Sequence, residues 1–153
     1  MPELYRGSAP CLTVVPERCT GCQICLLACS FEHEGIFRPS AARLKVAITR
    51  RLVDGTLPEV FDYPMICKQC DPAPCAEVCS EDAISTDETG VVRVDQDRCI
   101  GCGLCVPACP NGVMEIDPDS GRAYKCDLCG GKPQCAALCP CGALLFASEE
   151  SIP

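Results

Sequence analysis

The chain has 153 residues, enough for one or two small domains, with 18 cysteines and a formal charge of −8 at pH 7. This acidic balance argues against nucleic acid or an anionic membrane surface as a partner. No apolar run approaches the roughly 18 residues needed to cross a bilayer, so the sequence predicts no membrane span.

Sixteen of the cysteines fall into four groups with the spacing of metal ligands. The third group has the pattern C-x2-C-x2-C-x3-C-P, the spacing of bacterial ferredoxins, and the other groups are variants of it. Three thiolates at two-residue gaps suit three corners of an iron–sulfur cubane, so the sequence predicts four [4Fe-4S] clusters. In chain order the groups are Cys19, Cys22, Cys25 and Cys29; Cys67, Cys70, Cys75 and Cys79; Cys99, Cys102, Cys105 and Cys109; and Cys126, Cys129, Cys135 and Cys139.

So many cysteines could instead form a disulfide scaffold or bind zinc. A disulfide scaffold is expected in small secreted domains, but the first residues lack the basic and apolar regions of a secretory signal, and disulfides give no reason for a repeated spacing. Zinc uses C-x2-C pairs, but it takes two pairs on either side of a loop and not three close thiolates in one loop. Free thiols and clusters together indicate a reducing cytoplasm.

The first and third cysteine loops repeat one another. Residues 17–25 and 97–105 both begin with an acidic residue and an arginine, and both place a glycine, Gly21 or Gly101, before the second cysteine. Glycine allows a tight turn whose amides can face the cluster. The second and fourth groups form another related pair, so the chain contains two ferredoxin-like units.

Residues 31–66 are the one long section without cysteine. Leu44, Val46 and Ile48 alternate with other residues in the pattern of a half-buried strand, and residues 53–56 have the composition of a hairpin turn. The section is therefore predicted to be a β-hairpin, which either covers a cluster, forms a docking face or only packs on the rest.

Each later group is predicted to have a short helix between its third and fourth cysteines, followed by a turn and a strand. The acidic, glycine-containing turns 87–90 and 117–121 predict hairpins that join 83–86 to 91–95 and 113–116 to 122–125. The fold class is therefore α+β. Because cysteine makes up much of the 48% hydrophobic content, cluster binding should supply much of the folding energy.

Three further residues have no assigned role. Cys11 and Cys141 lie outside the four groups, and we interpret both as buried free thiols. The single histidine, His33, either forms a hydrogen bond near a cluster or is a structural loop residue.

The order and spacing of the four groups resemble those of the four-cluster, ferredoxin-type subunits of molybdenum and tungsten pterin oxidoreductases and some hydrogenases. The resemblance covers about residues 10 to 147. Residues 29–35, with Pro39 and 42–44, are most similar to the small subunit that accompanies tungsten aldehyde oxidoreductases.

This resemblance implies two pseudo-symmetric modules, each a bacterial two-cluster ferredoxin with short helices and β-hairpins. One module would comprise 1–59 and 118–153, including a hairpin insertion at 36–59, and the other 60–117. It further implies that the groups exchange their last cysteines. The four ligand sets would be Cys19, Cys22, Cys25 and Cys139; Cys126, Cys129, Cys135 and Cys29; Cys67, Cys70, Cys75 and Cys109; and Cys99, Cys102, Cys105 and Cys79.

The predicted function is electron transfer, and the chain itself is not predicted to be an enzyme. No P-loop or nucleotide-binding glycine motif is present, and no iron is left open for a substrate. The resemblance implies a large tungsten- or molybdenum-pterin catalytic subunit at one end, and a flavin subunit or a soluble ferredoxin at the other. A free-standing polyferredoxin, a hydrogenase-type subunit and end-to-end self-association remain alternatives.

Overall fold

The computed structural model of the protein describes residues 10–53 and 57–147. Within these residues the fold is a small mixture of short helices and two-stranded antiparallel sheets, as the α+β prediction requires. The helices are α1 Ile24–Glu34, α2 Pro74–Glu77, α3 Cys105–Ala108 and α4 Gln134–Ala137. The strands are β1 Cys11–Val14, β2 Lys45–Val53, β3 Leu57–Met65, β4 Ile84–Thr86, β5 Val92–Val94, β6 Glu115–Ile116, β7 Ala123–Tyr124 and β8 Leu144–Ala147. No described helix is both long enough and apolar enough to cross a membrane.

Strands β1 and β8 pair with each other although they lie near opposite ends of the chain. Their antiparallel register places Leu12 opposite Phe146 and Val14 opposite Leu144. The side chains of Leu12 and Leu144 are buried in the same core. This pairing brings the segment before the first cysteine group against the segment after the fourth.

Helix α1 is longer than the cysteine spacing predicts. It begins at Ile24 and continues past the last cysteine of its group to Glu34, where Gly35 ends it in the left-handed conformation. Its buried face includes Cys25, Leu26 and Cys29, and the helix packs against α4. The first and fourth cysteine groups therefore meet through their helices.

The predicted hairpin in the cysteine-free section is present as β2 and β3. The strands pair from Lys45 opposite Met65 to Val53 opposite Leu57, so the hairpin extends beyond residue 59. The predicted turn at 53–56 falls mainly on residues outside the described part of the chain. The half-buried alternation ends early, because Leu44 is buried whereas the side chain of Ile48 is 55% exposed.

The two small hairpins after the second and third groups also form, with shorter strands than predicted. In the turn between β4 and β5, the Asp87 carboxylate accepts hydrogen bonds from the amides of Thr89 and Val91 and from the side chain of Arg93. In the turn between β6 and β7, Asp117 accepts from the amides of Asp119 and Ser120. Side-chain acceptors of this kind fix such turns locally, which explains why composition predicts them.

Two hydrophobic cores lie side by side in the molecule. The larger one contains Leu12, Leu26, Leu44, Leu128 and Leu144 together with cysteines of groups one and four. The smaller one contains cysteines of groups two and three together with Ala73, Ile84, Val92, Met114 and Ala123. Leu128 is the most enclosed residue of the larger core, with an exposed fraction of 0%.

Candidate metal centres

The sulfur of Cys25 lies among cysteines from both ends of the chain. Burial, together with the neighbouring sulfurs of Cys22, Cys19 and Cys139, raises the pKa of the Cys25 thiol to about 11. Cys139 belongs to the fourth group, so this set joins three cysteines of one loop to the last cysteine of another.

A second set surrounds Cys135 in the larger core. Burial raises the pKa of this thiol, and the sulfurs of Cys126, Cys29 and Cys129 raise it further. Cys29 comes from helix α1, whereas the other three cysteines belong to the fourth group. The neighbours of Cys25 thus include the last cysteine of the fourth group, and those of Cys135 include the last cysteine of the first group.

A small cavity is lined by Cys67, Cys70, Cys75 and Cys109. Burial raises the pKa of Cys75 to about 11, the ammonium of Lys125 opposes this rise, and the sulfurs of Cys67, Cys109 and Cys70 add to it. The cavity wall also contains apolar side chains, Val92, Val113 and Met114 among them.

A second small cavity is lined by Cys79, Cys99, Cys102 and Cys105. Burial raises the pKa of Cys105, and the sulfurs of Cys102, Cys99 and Cys79 act in the same direction. Its rim carries Val78, Ile100 and Leu104, whose side chains are 39%, 66% and 55% exposed. This cavity therefore opens toward an apolar patch of the surface.

The spacing of the sulfurs distinguishes a cluster from a single zinc ion. A tetrahedral zinc ion with Zn–S bonds of about 2.3 Å holds its sulfurs roughly 3.8 Å apart. Among the described residues, which include all 18 cysteines, no three cysteine sulfurs lie within 4.8 Å of one another. Four converging sulfurs that stand farther apart suit a larger centre with several metal ions, which a cubane provides.

Backbone amides point at several of these sulfurs. The amide of Arg43 donates to Cys29 Sγ at 3.2 Å, that of Ala123 to Cys99 Sγ at 3.3 Å, and that of Leu128 to Cys126 Sγ at 3.4 Å. Hydrogen bonds to the sulfurs are among the features that set the reduction potential of an iron–sulfur cluster.

The glycines before the second cysteines have the role that the sequence predicts. Gly21 and Gly101 have φ values of +67° and +73°, in the left-handed region that glycine adopts without strain. A Cβ atom on Gly21 would also collide with the side chain of Asp62, and one on Gly101 with the carbonyl of Gly121. Both loops therefore need glycine for their conformation, and the loop of Gly101 also needs it for close packing against the backbone.

The leftover residues differ in their surroundings. Both leftover cysteines are free but only partly buried, so the prediction that they are buried was wrong. Cys141 Sγ lies 3.8 Å from Cys139 Sγ, while Cys11 lies in strand β1. His33 makes hydrogen-bond contacts to the carbonyl of Cys29 and to Asp127, both at 2.9 Å. Asp127 also accepts from Arg43 at 3.0 Å and from the amide of Cys129, so this network supports the fourth group.

Sequence reasoning missed a second polar network, centred on Lys125. This residue is only 4% exposed, and its ammonium donates to Gln69 Oε1, at 3.1 Å, and to the carbonyls of Cys126 and Val92. Gln69 in turn donates to the carbonyl of Cys126 at 3.1 Å and accepts from the amide of Val92 at 2.9 Å. The network joins the second and fourth cysteine groups.

Comparisons with known protein families agree with this cysteine chemistry. A model described as a 4Fe-4S dicluster domain matches residues 58–149, and one described as a 4Fe-4S binding domain matches residues 16–32. The chain is 42% identical over 129 residues to the polyferredoxin-like subunit of the aliphatic sulfonate oxidoreductase of Pyrococcus furiosus, covering 84% of this chain and 70% of that one.

Two further relatives are named for electron transfer. The chain is 37% identical to the thiosulfate reductase electron transfer subunit of Salmonella typhi, over 85% of this chain and 71% of the relative. It is 35% identical to the electron transport protein HydN of Escherichia coli, over 88% of this chain and 86% of the relative. These relatives are named as electron-transfer subunits or proteins and not as catalytic enzymes.

Proposed function

This chain belongs to the family of 4Fe-4S dicluster-domain proteins, and we propose that it is the electron-transfer subunit that connects a tungsten- or molybdenum-pterin oxidoreductase to a redox partner. The names of its relatives support the role of an electron-transfer subunit in an oxidoreductase complex. The tungsten or molybdenum partner, of the aldehyde oxidoreductase type, rests on the resemblance of the cysteine pattern.

We propose four [4Fe-4S] clusters, each held by three cysteines of one group and the last cysteine of another. The support is that each set of converging sulfurs draws on two groups. The proposed ligand sets are Cys19, Cys22, Cys25 and Cys139; Cys126, Cys129, Cys135 and Cys29; Cys67, Cys70, Cys75 and Cys109; and Cys99, Cys102, Cys105 and Cys79. Sharing of this kind implies two modules, 1–59 with 118–153 and 60–117. Each hydrophobic core draws mainly on one of them, although Ile66 and Val91 lie in the larger core and Ala123 lies in the smaller one.

The main support for the proposed function is that neighbouring sets of sulfurs lie close together. Such contacts favour an arrangement of the four sets in a row. The sulfur of Cys25 lies near enough to Cys135 to raise the pKa of its thiol, so the first set adjoins the second. The sulfur of Cys67 likewise raises the pKa of the Cys126 thiol, so the second set adjoins the third. Cys75 of the third set and Cys105 of the fourth are buried in one core. Such a row offers a path for single electrons from one end of the protein to the other.

The two ends of this row reach the surface. Cys22 and Cys102 are exposed, and they belong to the first and last sets, whereas every cysteine of the two central sets is buried or partly buried. A bound cubane accepts or gives up one electron with little rearrangement, so the chain needs only to hold it, shield it and position it. One electron would enter at one exposed end from a donor and leave at the other to an acceptor.

The apolar patch of Val78, Ile100 and Leu104 supports docking at the end that contains Cys102. Exposed aliphatic side chains around a redox centre suit a protein contact that excludes water. The catalytic subunit would bind at one of the two ends, and a flavin subunit or a soluble ferredoxin would serve the other end.

The experiment is anaerobic purification of the protein from its native host without dissociation of its complexes, followed by metal analysis of each co-purifying chain. We expect a large partner chain that contains tungsten or molybdenum. A partner chain with nickel and iron would favour the hydrogenase-type alternative. Elution of the clustered protein alone would favour a free-standing polyferredoxin and contradict the proposal.

A further inference from the structure

Lys125 is buried, and its hydrogen-bond partners in the described part of the chain include no carboxylate. The Lys125 ammonium contacts three neutral oxygens, those of Gln69, Val92 and Cys126. Among the residues that the structure describes, no carboxylate forms an ion pair with it, although the fold makes several such pairs elsewhere. Burying an ammonium against neutral groups alone is unfavourable, so a nearby negative charge should compensate it.

The groups near Lys125 that can carry negative charge are cysteine sulfurs of two different sets. Lys125 lines the cavity that contains Cys67 and Cys75, and it directly precedes Cys126. Burial raises the pKa of the Cys67 and Cys126 thiols, and the positive charge of Lys125 opposes both rises. The ammonium is therefore close enough to both central sets for its positive charge to stabilise negative charge on their sulfurs.

Lys125 is also held firmly in this place. Gln69 Oε1 accepts from both the ammonium and the amide of Val92, and Gln69 Nε2 donates to the same Cys126 carbonyl that Lys125 contacts. Among the described residues that are buried and polar, which are Ser30, Gln69 and Lys125, it is the only one with a charged side chain. The two outer sets therefore have no equivalent buried cation within the described part of the chain.

We propose that Lys125 is a fixed positive charge shared by the two central clusters, where it favours their reduced state and raises both reduction potentials. The inference rests on the proposed function, because it requires clusters in those two sets. Reduction adds one electron to a centre that is already anionic, with no proton transferred to the lysine. A cation in a poorly polarisable interior stabilises the added charge more than a solvated cation does.

Such a charge has a functional consequence for the row of clusters. Without it, an electron entering the buried middle of the row would meet the repulsion of neighbouring anionic centres in a region with little water. Lys125 would therefore make the central clusters accessible to electrons at the potentials of the outer clusters. Lys125 is thus a positioning and tuning residue, and it is not a cluster ligand.

The test compares Lys125→Met with Lys132→Met by redox titration at fixed pH, with each cluster followed by electron paramagnetic resonance. Lys132 is a matched control, because it lies between Cys129 and Cys135 but is exposed, so water screens its charge. We expect Lys125→Met to shift the reduction equilibrium of two clusters about tenfold toward oxidation, equivalent to about 59 mV for one electron. The control and Lys125→Arg should shift it less than about twofold.

Iron and sulfide content is measured on every variant, and Lys125→Gln provides a second neutral variant that keeps a hydrogen-bond donor. Unchanged potentials in fully loaded neutral variants, or an equal shift of all clusters, would overturn the inference. So would loss of clusters in both neutral variants but not in Lys125→Arg, because the charge would then serve assembly. Wild-type protein without iron and sulfide would instead refute the proposed function.

Discussion

Substitution of Cys139 should destroy the cluster of the first cysteine loop and spare the cluster of its own loop. The sulfur of Cys139 is among the neighbours that raise the pKa of the Cys25 thiol. The neighbours that raise the pKa of the Cys135 thiol include Cys126, Cys29 and Cys129. If each cluster takes three cysteines of one loop and the last cysteine of the other, Cys139 and Cys25 serve one cluster and Cys135 serves the other, although the sulfur of Cys25 also lies near that of Cys135. Ligation within each group would instead place Cys139 and Cys135 on the same cluster.

Double substitutions turn this difference into a count of intact clusters. The protein should hold about four intact cubanes, and Cys139→Ala should leave about three. Adding Cys25→Ala damages the same cluster, so the double variant should still have about three. Adding Cys135→Ala damages a second cluster, so that double variant should have about two. Ligation within each group predicts the reverse order of the two double variants.

Mössbauer spectroscopy of the oxidised proteins measures the intact cubanes, and it separates them from three-iron remnants. Cys141→Ala is the matched control, because its sulfur lies only 3.8 Å from that of Cys139 but belongs to no proposed ligand set. It should retain about four cubanes. A count of about two for the Cys139 and Cys25 double variant would refute the proposed sharing of cysteines.

Three further predictions follow from the fold and the cysteine sites. Leu128→Ala should lower the free energy of unfolding by about 2–5 kcal/mol in anaerobic denaturation. Leu145→Ala, at a partly exposed site, should lower it by less than about 1 kcal/mol. Equal losses of unfolding free energy in the two variants would contradict the described core. A hydrogen bond from Arg93 holds the pKa of the Asp87 carboxyl well below its usual range, so its stabilisation of the β4–β5 hairpin is present above about pH 4 and lost as pH falls toward that lowered value. Hydrogen exchange of this hairpin should show that Asp87→Ala weakens it already at about pH 6, and equal protection in the two proteins there would contradict the role of the carboxylate. Removal of iron by an anaerobic chelator should unfold the chain, as circular dichroism would show, and a compact, cooperatively folding apoprotein would contradict the idea that metal binding supplies much of the folding energy.

Local features of the fold could be predicted from the sequence because their causes are local. The acidic turns at Asp87 and Asp117 form their own hydrogen bonds, and Gly21 and Gly101 have the left-handed conformation that their position before a cysteine suggests. The hairpin of the cysteine-free section likewise follows from alternation and a turn sequence, although Ile48 lies on a more exposed face than alternation implies.

Non-local features could not be predicted in this way. The pairing of β1 with β8 joins four-residue segments more than a hundred residues apart, and neither segment has a pattern that identifies the other. The contact between His33 and Asp127 spans 94 residues. The burial of Lys125 also runs against the usual exposure of lysine, so only the folded arrangement of Gln69 and the cysteines identifies it.

The iron, acid-labile sulfide and zinc content of the anaerobically purified chain tests most directly whether the cysteines hold four cubanes. We expect about sixteen irons and sixteen sulfides per chain, with negligible zinc. About eight irons would contradict the four ligand sets, and zinc without sulfide would contradict the iron–sulfur assignment itself.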